Sequence, residues 1–192
     1  MNNNIFKTKS KENIIFSVSV NSLLLSLTAI FISVYVIYDR VVFLSLAITF
    51  GTMFYHFVMR LIVGYFVTKH LSPYLSPSSR WFRMKKAEKK LYKLLKVKKW
   101  KLFMPTASPE NFSLKKHTPD EIAVTMCSSE LVHELNIILS FLPLLLAIPF
   151  GKISVFIITS TLAALCDLPF VIMQRYNRPR LLRFAERQNS NK

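Results

Sequence analysis

Ile153–Met173 reads ISVFIITSTLAALCDLPFVIM and runs directly into Gln174–Arg180, QRYNRPR. A helix needs about 20 mainly apolar residues to cross the hydrocarbon core of a bilayer, and this stretch reaches that length with Asp167 as its single charge. The three arginines that follow form a boundary of the kind that stays on the cytoplasmic side. The same test picks out three more stretches, at 15–38, 41–67 and 131–150, beside this one at 153–173. None alternates polar and apolar residues as a transmembrane β-strand does. The expected fold class is therefore all-α: a polytopic membrane protein of four transmembrane helices, forming a single membrane domain over 1–192.

Composition points the same way. Hydrophobic residues make up 52% of the chain, yet its formal net charge is +16, and small soluble domains seldom join the two, so they must be segregated along the sequence. Lys and Arg collect in the segment 68–130 and the tail 174–192, with Lys7, Lys9 and Lys11 ahead of the first span. Arg40 and Lys152 stand alone in the two short connections. This asymmetry places both termini and the middle segment on the cytoplasmic side of the cell membrane. Nucleic-acid binding would explain the lysines but none of the spans. The first apolar run is longer than a signal-peptide core and has no clean cleavage site, so it is expected to be retained. Cys127 falls in the cytosolic segment and Cys166 inside span four, so no disulfide is expected.

Between spans two and three, Ser72-Pro73 through Pro77-Ser78-Ser79 breaks the helix. Arg80–Lys101 then holds eleven Lys or Arg and one acid, Glu88, interleaved at near-helical spacing with Trp81, Phe82, Met84, Leu91, Leu94, Leu95 and Trp100. The spacing predicts a basic amphipathic helix in the headgroup layer, with anionic lipid as its partner. Thr118-Pro119-Asp120-Glu121 is a capping box with proline at the first helical position, and the helix it starts should run on into span three.

Polar residues at the spans carry the candidate chemistry. Glu130 and His133 stand three apart on one helix face, so the carboxylate could accept from one imidazole nitrogen while the other faces a reactant; the rival reading leaves both solvated among headgroups. Glu-x-x-His is also a di-iron pattern, but no second copy exists, and His133-Glu134 lacks the second histidine of a zinc protease, so no metal is expected. His56 and Arg60 lie one turn apart in span two. Charge at such depth is expensive and faces a bundle interior, so Asp167 is expected to pair with Arg60 or a protonated His56, structurally or functionally. Gln174, Arg175, Asn177, Arg178 and Arg180 offer amides and guanidinium forks to a phosphate or carboxylate, unless they serve only as a stop signal.

Trp81-Phe82-Arg83, Val97-Lys98-Lys99-Trp100-Lys101, Glu130-Leu131-Val132-His133 and above all Gln174-Arg175-Tyr176-Asn177-Arg178-Pro179-Arg180-Leu181 resemble the integral-membrane glycosyl-diaponeurosporenoate acyltransferases, over roughly the C-terminal two-thirds of the chain. Glu88 fits the pattern too. The resemblance implies transfer of a fatty acyl chain to a sugar hydroxyl of a glycosylated carotenoid, with an acyl-CoA or acyl-carrier-protein thioester as co-substrate and no cofactor. On it, His133 oriented by Glu130 would be the base, Arg175, Arg178 and Arg180 would hold phosphates, and Asn177 or Arg60 would stabilise an oxyanion. His56, Glu88, Lys98, Trp100, Lys101, Asp167 and Gln174 would complete the substrate site. The longer N-terminal part, with the span carrying His56 and Arg60, departs from the family pattern. The rival class is a non-catalytic lipid-binding or complex-organising membrane protein, in which Arg178→Lys is harmless and His133 dispensable. A small transporter would need polar residues along a whole path, whereas these collect at one face.

Overall fold

The computed structural model describes residues 2–106 and 109–190, with side chains described for 14–106, 109–187 and 190. Regular structure among them is helical: α1 Asn2–Tyr38, α2 Val41–Phe66, α3 Lys86–Leu94, α4 Val97–Trp100, α5 Pro119–Leu139, α6 Ala147–Phe150 and α7 Ile153–Ser190. Four stretches are long and apolar enough to cross a membrane: Ile14–Tyr38, Val41–Tyr74, Pro119–Phe150 and Ile153–Arg187. Val36, Ile148 and Ile158 are exposed by 75%, 83% and 58%. Held in water, each such side chain would forgo about 1.5–3 kcal/mol of burial; held in lipid it does not. The chain is a multi-pass membrane protein.

Two tight turns join the span pairs. Asp39, at φ +48°, turns α1 into α2, and aspartate is one of the few non-glycine residues that visits this left-handed region. Gly151 at φ +64° and Lys152 at φ +54° turn α6 into α7.

The chain packs as two units. The first runs up to Leu61 and again from Ser140 to Ala163. Here α1 and α2 approach closely, because a Cβ at Gly51 would stand 3.4 Å from the Thr28 methyl. Phe31 stacks on Phe50 with ring centroids 5.5 Å apart. Lipid tails are as apolar as the helices, so such close packing holds helices together where the hydrophobic effect cannot. Arg60 donates to the His56 carbonyl at 3.1 Å and to the Ala163 carbonyl at 2.9 Å, which tethers α2 to α7.

The second unit comprises Ile62–Leu139 and the chain from Ala164 onward. α5 starts at the expected capping box: Thr118 N–H donates to Glu121 Oε2 at 2.9 Å, and Glu121 N–H donates to Thr118 Oγ1 at 3.3 Å. Thr118→Ala should cost about 1 kcal/mol, read as a lower thermal midpoint in detergent. The helix expected over Arg80–Lys101 is shorter and broken. α3 covers Lys86–Leu94, and Lys96 at φ +50° separates it from α4. Lys86, Lys89, Lys90 and Lys93 lie three or four apart, and like charges at that spacing oppose a longer helix. The break also brings Tyr92 and Val97 into one buried cluster with Tyr176 of α7. Cys127, buried, and Cys166, exposed, are both free thiols.

Candidate functional site

His133 projects from α5 with Nδ1 2.8 Å from Asp167 Oδ1 of α7. With Asp167 ionised and able only to accept, a neutral imidazole in this contact carries its proton on Nδ1 and keeps a lone pair on Nε2. Asp167 is buried and also accepts from Asn136 Nδ2 at 3.4 Å. The imidazole lies flat against Phe170, with ring centroids 4.6 Å apart at 10°. Ring and carboxylate are thus held from two sides. His133 borders a cavity of about 620 Å³ whose wall also includes Thr68, Thr106, Ser128, Ser129 and Gln174.

Glu130 does not orient His133, which corrects the pairing read from their spacing. Its carboxylate is fully buried between Arg175, whose Nε donates to Oε1 at 2.6 Å, and Arg178, whose Nη1 lies 2.7 Å from Oε2. Charge-assisted bonds from two guanidiniums engage both oxygens of this carboxylate. The carboxylate in contact with His133 belongs to Asp167 of α7. Arg60 holds two carbonyls, as described above, and the buried His56 ring meets Tyr55 edge-on at 5.3 Å.

The arginines also differ from expectation. Arg175 Nη1 reaches Glu88 at 2.8 Å and its Nη2 reaches Glu134 at 2.8 Å, so one guanidinium joins three carboxylates. Trp81 Nε1 donates to the same Glu134 at 2.7 Å. Arg178, 1% exposed, donates to the Phe82 carbonyl and to Cys127 Sγ and lies over the Phe82 ring. Arg180 stacks 3.4 Å from the centre of the Tyr176 ring and donates to the Tyr176 carbonyl. Arg175 and Arg178 thus direct their guanidiniums at groups of the protein itself. The physical reason is that buried carboxylates must be paired. Glu88 is likewise part of this clamp, which fastens the Trp81–Glu88 stretch and α5 to α7.

Lys101 donates to Asn177 Oδ1 at 2.5 Å and sits over the Tyr176 ring. Burial, with Arg180 and Lys98 nearby, pulls the Lys101 ammonium below its ordinary range. Trp100 Nε1 donates to the Leu95 carbonyl at 3.1 Å, and Lys98 is exposed. Tyr92, beneath this surface, has its phenol pushed up to about 12, by burial first and then by Glu88. Of the residues expected to bind substrate, Gln174 is the one that shares the cavity wall with His133. The hydroxyl residues of that wall were missed because a serine or threonine within or beside a span carries no distinguishing signal. Glu134 had one: it lies one turn from Glu130 on the same face.

The fold and this site define a class, a multi-pass helical membrane protein whose polar groups form one ionic clamp and one cavity with a carboxylate-held histidine. Residues 78–187 match the sequence model of the glycosyl-4,4'-diaponeurosporenoate acyltransferase family, more than half of the chain, and the protein belongs to that family. It is an acyltransferase. The matched region holds the whole clamp as well as His133 and Asp167. No curated protein and no solved structure matches the chain.

Proposed function

We propose that the protein transfers a fatty acyl chain from a thioester, carried by coenzyme A or an acyl carrier protein, to a hydroxyl of a membrane glycolipid or glycosylated isoprenoid. The observation that carries this reading is the 2.8 Å contact of His133 Nδ1 with buried Asp167 beside the cavity. Asp167 fixes the tautomer, so Nε2 takes the proton of the hydroxyl that attacks the thioester carbonyl. The imidazolium, stabilised by Asp167, then protonates the departing thiolate. Hydroxyls and amides from Thr68, Thr106, Asn111 and Gln174 on the wall suit a polyhydroxylated headgroup. The thioester itself supplies the activation, so no cofactor is required.

The charge asymmetry supports placing both termini and the segment 68–130 on the cytoplasmic side. Anionic headgroups are the partner proposed for the basic segment. On α3 and just past it, Leu91, Leu94 and Leu95 are exposed by 48%, 77% and 43% beside Lys89, Lys90 and Lys93, the pattern of a helix lying on a charged bilayer. Comparing lipid extracts of cells with and without the protein by mass spectrometry tests the reading. A glycosylated lipid heavier by one acyl chain should appear only with the protein; identical extracts would count against it.

A further inference from the structure

His133 needs a hydroxyl to act on, and α5 carries one on the same helix face and cavity wall. We propose that Ser129 is a covalent nucleophile, so that the acyl chain rests on the enzyme as a Ser129 ester before it passes to the acceptor; this rests on His133 acting as the base.

Ser129 and His133 are four residues apart on α5, hence on one face with Cβ atoms about 5–6 Å apart. Helix side chains lean toward the helix N-terminus, which carries the His133 ring over the turn bearing Ser129. Both residues border the same cavity. Gln174, 5% exposed, donates from Nε2 to Ser129 Oγ at 3.2 Å. That bond uses a lone pair of the hydroxyl and leaves its proton to be given elsewhere. A helical serine or threonine commonly returns that proton to the carbonyl one turn back, as Thr125 does to Glu121 at 3.0 Å. Ser129 makes no such bond among the described residues. Nucleophile, base and orienting carboxylate then follow as Ser129, His133 and Asp167.

In the first half-reaction Ser129 Oγ bonds to the thioester carbonyl carbon as its proton passes to His133 Nε2. The C–S bond breaks, and the proton leaves with the thiolate as free thiol. In the second, the acceptor hydroxyl gives its proton to His133 and bonds to the acyl carbon. The Ser129 Oγ–C bond breaks and Ser129 recovers the proton. The Gln174 amide beside Oγ is placed to donate to the developing oxyanion in both halves.

The test uses the full chain, purified in detergent without acceptor and exposed to alkyne-tagged palmitoyl-coenzyme A or to a fluorophosphonate. The expected result is an adduct from either probe on the peptide bearing Ser129, the acyl one labile to hydroxylamine, and both absent from Ser129→Ala and His133→Ala. Acylated lipid formation should be lost in Ser129→Ala. No Ser129 adduct from either probe on the unaltered protein would overturn the proposal, whatever the folding of the variants. Normal transfer by Ser129→Ala with loss in His133→Ala would also overturn it while leaving the base assignment intact. Normal transfer by both variants would remove the base assignment as well.

Discussion

His133→Ala should lower acyl transfer by about 10²–10⁴-fold, the usual contribution of a positioned general base, while the protein remains in the membrane at its normal level. The change deletes Nε2 and leaves the cavity otherwise intact. Its structural cost is bounded, because the His133 side chain is already 21% exposed and packs on Phe170 by one ring face. Asp167→Asn separates chemistry from packing. It keeps the volume and the contact to Asn136, but an amide no longer dictates which imidazole nitrogen holds the proton. The rate should fall. Acylated lipid per mole of protein, measured beside the thermal midpoint, checks both variants; a His133→Ala rate equal to that of the unaltered protein would refute the base assignment.

The spans were legible because apolar length is a local property, and so was the start of α5, since a capping box is complete within four residues. His133 stood out as a titratable group at the edge of a span. Its partner did not. The spacing of Glu130 fits a helix-face pair, and what overrides it is the arrival of Arg175 and Arg178 from α7, a tertiary event that no local pattern encodes. Asp167 was visible as the single acid of its span, but its match to His133 depends on the register in which α5 and α7 pack. The arginine motif was legible as a cluster, but its ion pairs were not, because the acids that neutralise it come from two separate elements. Glu88 lies on α3, whereas Glu130 and Glu134 lie one turn apart on α5.

Removing a guanidinium from that clamp should have the largest effect on stability. Arg178→Ala is expected to cost about 3–5 kcal/mol, because it strips a fully buried carboxylate of one of its two cationic partners. Arg178→Lys should also destabilise, although it keeps the charge. An ammonium cannot hold Glu130, the Phe82 carbonyl and Cys127 Sγ from one planar fork or stack on the Phe82 ring. Thermal unfolding in detergent reads the loss, and an unchanged midpoint for Arg178→Lys would show that the guanidinium serves only as a positive charge. The clamp holds three carboxylates against two guanidiniums, so the loss of either arginine deepens an existing excess of negative charge. Neutralising an acid reduces that excess instead. Glu134→Gln should therefore be tolerated far better than Arg178→Ala, and an amide there can still accept from Trp81 Nε1. Pairing Arg178→Met with Glu130→Leu should recover part of the loss, since neither variant side chain then leaves an orphaned charge at that position.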